Sequence, residues 1–301
     1  MNNIKSIFSI KDLENLSGIK AHTIRIWEKR YGILQPMRTE TNIRLYDAQN
    51  LQKLLNVVLL HNHGYKISKI ANYSDEEIPT IARGIISEKS IHHHAISEFK
   101  LAMMNFNQFQ FVKTYEELIK EKPFYQIFEE IFIPLLNEIG LLWQSETISP
   151  AHEHFISHLI RQKIILHTEK AQLETNIKND KAYILYLPQN EIHEIGLLYL
   201  NYELIRHGCH TIYLGESIPT DNLQDVQKYF DNIVFVSYWT TQPSPDTIEE
   251  YIDNLKKEIL TYGNSEYWIL GRLATYVKKE YITQNIKVFN SIKEVLRQLN
   301  N

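Results

Sequence analysis

The histidine with the most chemistry around it lies in Glu191-Ile192-His193-Glu194-Ile195-Gly196. A loop carboxylate two residues ahead of an imidazole can accept from one ring nitrogen, which fixes the tautomer and makes the other nitrogen a better metal ligand. Gly196 leaves room for a bulky group to approach the backbone. Spacing alone leaves a second reading open, a solvated loop in which these side chains are idle. A second constellation joins Trp143, across nine intervening residues, to Glu153-His154. Taken singly, Trp143 reads as a bundle-core aromatic and Glu153 as a solvated helix residue.

A third set is basic. Residues 1–70 hold 11 Lys and Arg against 5 Asp and Glu, while the whole chain carries −4, so the remainder stands at −10. That asymmetry points to a nucleic-acid-facing amino-terminal piece on an acidic protein. His22, Thr23 and Arg25 fall near the amino end of a helix predicted over Ala21 to Tyr31, where a recognition helix meets base edges. Lys29, Arg30 and Tyr31 follow for phosphates, and Arg38, Asn42, Arg44 and Tyr46 lie in a turn-rich stretch that suits a wing. Charge alone also fits a small helical domain with a basic surface. Trp27 reads as a core aromatic, one turn beyond Thr23.

These residues need elements to hold them. With 301 residues the chain suits two or three domains, because single cores seldom exceed roughly 250 residues. Residues 1–75 show short helical patterns, Ile10 to Leu16 and Ala21 to Tyr31, joined by a Ser17-Gly18 turn, the helix-turn-helix arrangement. Residues 78–178 are helical throughout, with apolar positions such as Phe106, Phe109, Phe111, Phe124, Phe128, Leu135 and Ile139 and breaks at Pro123, Pro134 and Pro150, which predicts a bundle of about four helices. Residues 180–301 alternate strand and helix, which predicts a parallel sheet covered on both faces. Glu191 and His193 then sit past the carboxyl end of the strand Ala182 to Leu187, where open α/β sheets bind ligands.

Cys209 is the only cysteine, which excludes a disulfide framework and a thiolate metal site and leaves it a packing role at a strand start. No apolar run reaches the roughly 18 to 20 residues of a membrane span, and the first thirty residues are not signal-like. The expectation is a soluble, cytoplasmic protein with no membrane partner. His61, His63 and the run His92 to His94 fall on polar segments and read as surface histidines.

The string "TIRIWEKRYG" followed by "RTETNIRLY" resembles the MerR family of transcription regulators. That implies a winged helix-turn-helix binding double-stranded promoter DNA as a homo-oligomer, dimer or larger. MerR-type metal sensors bind through cysteines near a long dimerisation helix; this chain lacks both, so its effector is of another kind. The Glu-x-His-x-x-Gly segment resembles the cobalamin-binding domain shared by methionine synthase, cobalamin mutases and the CarH and LitR photoreceptor regulators. The resemblance makes His193 the lower ligand of cobalt, and it extends to "WQSETISPAHEH", where the Trp lies beside the adenosyl group with the Glu-His pair close by.

Three departures accompany it. The family's Ser-x-Leu is here Ser237-Tyr238-Trp239, and its Gly-Gly is Gly271-Arg272, although both elements normally make room for the cofactor's nucleotide tail. A histidine that can follow the Trp is here Gln144.

The implied fold is multidomain: an all-α winged helix-turn-helix head over 1–75, a four-helix bundle over 78–178 capping the cofactor, and an α/β Rossmann-like, flavodoxin-like domain over 180–301. The implied function is a DNA-binding transcriptional regulator, a repressor and not an enzyme, whose oligomeric state and promoter binding respond to adenosylcobalamin and light. The alternative is a MerR-type regulator that has lost cobalamin and answers to a protein partner. A corrinoid methyl carrier would need a catalytic partner and gains nothing from a DNA-binding head.

Overall fold

Ser9 starts the first helix by a reciprocal cap: its hydroxyl accepts from the N–H of Asp12 at 3.2 Å, and the Asp12 carboxylate accepts from the N–H of Ser9 at 2.8 Å. The computed structural model describes residues 7–83, 88–178, 180–260 and 264–299, and the chain divides into two compact units, residues 1–160 and 161–301.

The first unit begins with β1 (Ile7–Phe8), α1 (Ile10–Ser17) and α2 (Ala21–Tyr31). Gly18 ends α1 at φ +75°, a left-handed conformation that suits glycine, and so makes the turn. Strands β2 (Met37–Arg38) and β3 (Arg44–Asp47) form a hairpin, with β1 on the other side of β3. The head is therefore a winged helix-turn-helix with a small three-stranded antiparallel sheet. Trp27 is buried, as expected of a core aromatic, and packs edge-on against His61. Helices α3 (Ala48–Asn62), α4 (Ile67–Ile70) and α5 (Glu77–Arg83) follow.

The bundle consists of α6 (Glu88–Met104), α7 (Gln108–Ile119), a composite helix made of α8 (Phe124–Ile127) and α9 (Ile133–Gln144), and α10 (Pro150–Glu174), whose residues from 161 onward belong to the second unit. Phe99, Phe111, Tyr115 and Phe132 form its aromatic core. Phe109, placed on the apolar face by its spacing, is exposed instead, and Phe106 turns at φ +51° to stack on His152. Pro134 does not break the chain's third long helical run. A π-turn over Phe128–Phe132 precedes it, with the Ile133 N–H reaching back to the Phe128 carbonyl, and the proline falls in the first turn of α9 where its missing donor costs little.

The second unit is a five-stranded parallel sheet of β4 (Ala182–Pro188), β5 (His210–Ile218), β6 (Asn232–Tyr238), β7 (Asn264–Leu270) and β8 (Ile286–Val288), in the order β5-β4-β6-β7-β8. Helix α11 (Ile195–Arg206) and α14 (Ile292–Leu299) cover one face; α12 (Gln224–Gln227) and α13 (Ile248–Leu255) belong with the other. Central β4 is buried throughout, the mark of a strand covered on both sides. The chain leaves β4 toward β5 and returns to β6 on the other side, so the switch of direction opens a crevice at the carboxyl ends of β4 and β6.

Candidate functional site

In the head, α2 is anchored from α1: the Glu14 carboxylate accepts from the N–H of Ala21 at 3.1 Å and pairs with Lys20. The Ala21 N–H, then the Lys20 and Lys11 ammonium groups, hold Glu14 down to about 2. With its amino end fixed, α2 exposes His22, Arg25, Lys29 and Arg30, while Thr23 and Tyr31 are half-buried; the Arg30 guanidinium lies over Tyr31. The wing turns at Asn42, φ +62°, which asparagine tolerates, and Arg38 donates to the Asn42 side chain at 2.6 Å.

Glu28, an acidic residue inside this basic helix, ties the wing to α2. Its carboxylate accepts from Nε of Arg44 at 3.0 and 3.1 Å and from the Tyr46 hydroxyl at 3.1 Å, with Arg38 3.7 Å away. Tyr46 is fully buried, and burial followed by the Glu28 charge pushes its hydroxyl up, so it supports the wing from inside and presents nothing to DNA. That corrects its place among the DNA-facing residues: on a strand, Tyr46 points to the face opposite its neighbours. Sequence reasoning passes over Glu28, although a lone acid in a basic helix is the available signal.

In the second unit, Glu191 is 0% exposed, at the crevice where β4 ends. It accepts from Nδ1 of His193 at 2.6 Å and from the N–H groups of Ile192 and His193, both at 3.0 Å. From beyond β6, the N–H groups of Thr240, Thr241 and Gln242 donate to it at 3.0, 2.5 and 2.9 Å, and the Thr241 hydroxyl adds a further bond. Burial pushes Glu191 up, but the His193 imidazole and the N–H groups of Thr241, Gln242 and His193 outweigh it and hold the carboxyl well below the usual range. One carboxylate thus locks two loops together and orients the imidazole. With Nδ1 committed to Glu191, Nε2 is the ring nitrogen that could serve as a metal ligand, on a side chain 51% exposed. Glu194 is occupied elsewhere, paired with Arg161 at 2.6 Å and accepting from the Tyr213 hydroxyl at 3.0 Å.

The other three expected positions turn inward. Ser237 is buried, and its hydroxyl accepts from the indole N–H of Trp239 at 3.0 Å. Gly271, at φ +99°, lies against the Trp239 main chain so closely that a Cβ would collide with its carbonyl oxygen. Gly196 faces the Tyr238 ring, with 2.7 Å left for a Cβ. Ser237 and Gly271, expected to make room for the nucleotide tail, thus meet Trp239, the one through its hydroxyl and the other through the main chain, and Gly196 meets Tyr238. The donors fit a corrinoid ring at His193, while the Tyr238 ring occupies the space against Gly196.

In the helical unit, Trp143 and Gln144 are exposed at the end of α9, Trp143 at 54%. Glu153 and His154 lie on the first turn of α10, 3.4 Å apart, and Glu153 accepts from Ser157 at 2.9 Å. His152 is buried beside Ser149. Two other histidines have structural contacts: His63 Nδ1 contacts the Leu59 carbonyl, and His92 meets Lys122 and Glu130. Among the described residues no group of three His, Cys, Asp or Glu side chains could hold a metal ion, and no helix is long and apolar enough to cross a membrane.

A winged helix-turn-helix with an oriented histidine at a sheet's switch point defines a DNA-binding regulator with a ligand-sensing part. Residues 8–77 match the MerR HTH family regulatory protein model, and residues 95–166 match a B12 binding domain model. The chain thus carries a MerR-type DNA-binding head and a B12 binding domain, the make-up of a transcription regulator rather than of an enzyme. It is 28% identical over 222 residues to the HTH-type transcriptional repressor CarH of Myxococcus xanthus, covering 72% of this chain and 73% of that protein. The repressor CarA of the same organism is 26% identical over 217 residues, covering 71% and 70%. Among solved structures, the monomethylamine corrinoid protein of Methanosarcina barkeri superposes with a TM-score of 0.57 at 15% identity, over 71% of this chain and 98% of that one, which establishes a shared fold.

Proposed function

We propose that this chain is a cytoplasmic transcriptional repressor whose self-association and promoter occupancy respond to adenosylcobalamin and to light. The observation that carries the reading is the Glu191–His193 pair, an imidazole held in one tautomer by a buried carboxylate at the switch point, in a chain headed by a MerR-type DNA-binding domain. His193 would hold the ring from below through Nε2, and Glu191 would keep that nitrogen basic and aimed. Trp143, Glu153 and His154 are the helical unit's candidates for the adenosyl side. When bound, the cofactor supplies a carbon–cobalt bond that light breaks; the protein supplies the shape that senses the loss.

Homo-oligomers, dimeric or larger, turn that sensing into DNA affinity. Phosphate contacts dominate binding, so joining more heads on one promoter raises avidity by orders of magnitude. A second reading, a MerR-type regulator that has lost cobalamin and answers to a protein partner, takes its support from Trp239 and Arg272, which stand where the resembling family makes room for the tail. The deciding experiment is the visible spectrum of the protein after incubation with adenosylcobalamin in darkness, before and after green light. A retained corrinoid with a light-dependent spectrum supports the first reading, and no retained cofactor supports the second.

A further inference from the structure

Tyr238 ends β6 and Trp239 follows it, one on each face of the sheet. Cobalamin carries a nucleotide base on a chain tethered to its ring, and a protein imidazole that takes the lower axial position displaces that base. The displaced base needs a place inside the protein or outside it. Beneath a ring held by His193, the way inward is the gap between the first turn of α11, where Gly196 lies, and the carboxyl end of β6.

Tyr238 closes that gap. A Cβ built on Gly196 would lie 2.7 Å from Cζ of Tyr238 and 2.9 Å from each Cε, so the phenol ring lies face-on against the glycine. The ring also borders a cleft of about 350 Å³, together with Leu270, Gly271, Thr275, Phe289 and Ser291. The phenol thus stands between Gly196 and that cleft. On the other face of the sheet Trp239 is fully buried. Its indole edge meets Tyr251, its N–H is spent on Ser237, and Gly271 covers its main chain. Behind it the hydroxyls of Tyr186, Tyr251 and Tyr267 bond one another at 2.9 and 3.1 Å. On that face the three tyrosine hydroxyls are committed to one another and the indole N–H to Ser237.

We propose that the site reads the corrin ring alone: the nucleotide tail of a bound corrinoid stays outside the fold, and Tyr238 excludes it. This rests on the cobalamin reading above and adds the ligand class, namely corrinoids whatever their lower base, including those without one.

The test is titration of the full chain in darkness with aquocobalamin and with diaquocobinamide, which lacks the nucleotide, followed by the absorbance change on imidazole ligation. Cobalamin must give up its own coordinated base to the imidazole and cobinamide has none to lose, so with the tail outside the fold cobinamide binds the more tightly of the two, by about tenfold or more. A base buried in the protein would favour cobalamin by about tenfold or more through the apolar area it removes from water. Tyr238→Ala opens the gap and raises cobalamin affinity by about tenfold, leaving cobinamide unmoved. Tyr238→Phe keeps the ring and changes neither. A wild-type preference of about tenfold for cobalamin, abolished by His193→Ala, overturns the exclusion of the tail and leaves the cobalamin reading standing. Binding of neither compound overturns both. If Tyr238→Ala does not fold, the wild-type comparison decides alone.

Discussion

The side-chain amide of Asn15, on the first helix of the DNA-binding head, donates to the hydroxyl of Thr147 at 2.8 Å, in the turn between the helix that carries Trp143 near its end and the one that begins before Glu153. A second tie runs parallel to it. The buried ammonium of Lys100 donates to the Leu16 carbonyl at the end of α1, at 2.9 Å, and to Glu138 on α9, at 2.7 Å. The DNA-binding head is thus fastened to the same helix that presents Trp143. Lys100→Met leaves the Leu16 carbonyl without its donor and lowers unfolding stability by about 1 to 3 kcal/mol. Combined with Asn15→Ala, it also narrows the difference in operator affinity between cofactor-loaded and cofactor-free protein. Denaturant melts and operator titrations check both; wild-type stability in Lys100→Met would show that the tie carries no load.

The clamp at Glu28 makes a prediction against simple electrostatics. Removing a carboxylate near DNA phosphates ordinarily strengthens binding. Here Glu28→Ala releases Arg38, Arg44 and Tyr46 together and lets the wing move, so promoter affinity falls. Arg25→Ala weakens binding by about 1 to 3 kcal/mol if Arg25 reads a base, or lowers the salt slope by about one if it holds a phosphate. Salt-dependent operator titrations separate these outcomes. Tighter binding by Glu28→Ala would mean that the wing stands without it.

What is legible in the sequence follows the range of the interactions. Helix α2 and strand β4 come out of local periodicity, and the Glu191–His193 contact spans two residues, so the residue spacing already points to it. The contact between Asn15 and Thr147 spans 132 residues and the Lys100 tie to Leu16 spans 84, distances over which no local pattern carries information. Tyr46 is misplaced by sequence reasoning because a turn-rich stretch hides the two-residue alternation of a short strand. Trp239 and Arg272 are visible as departures from a family pattern, whereas Tyr238 falls at its open position. That the tyrosine lies on Gly196 depends on how α11 packs on the sheet, which is a tertiary fact.

His193→Ala removes the ligating nitrogen and abolishes retention of the corrinoid or weakens it severely. Glu191→Gln keeps the size of the side chain but loses the charge that orients the imidazole, and it weakens retention by about 10- to 100-fold, the usual scale for such supporting groups. It also loosens the loop at Thr240 to Gln242, because a neutral amide cannot accept from all the donors now converging on one carboxylate. Equilibrium dialysis against cofactor measures the first effect and hydrogen exchange at Thr241 the second. Wild-type affinity and spectrum in His193→Ala would remove the histidine from the site.

Acid should loosen the second unit before the ordinary carboxylates alone would demand it. Glu191 is held well below the usual range, and Glu266 is brought from an ordinary 4.5 to about 2: burial raises it, but Lys287, Lys181 and the Trp268 indole prevail. A carboxyl whose folded value is depressed stabilises the fold fully above its unfolded value and loses that contribution as pH falls through the folded one. The window therefore runs from about 4.5 down to about 2. Glu266→Gln removes a share of the pH dependence of the order of 1 to 3 kcal/mol. Chemical denaturation across that window is the measurement; an unchanged slope in the variant would assign the acid sensitivity elsewhere.

The last prediction concerns light. Gln144 stands next to Trp143 at the exposed end of α9, an amide where the resemblance to CarH-type regulators allows an imidazole. An amide is a poor ligand beside an imidazole, so the illuminated protein holds its cofactor through His193 alone on the protein's side and is readily reset by fresh adenosylcobalamin. Loaded protein in darkness forms the larger assembly and binds its operator, and green light reverses both. Gln144→His slows the reset and shifts the light-state spectrum toward that of two imidazole ligands. Oligomer mass and operator affinity, each in darkness and light for wild type and Gln144→His, decide the matter. Equal values in darkness and light reject light sensing, and a two-imidazole spectrum already present in the wild type would show that another histidine takes the place of Gln144.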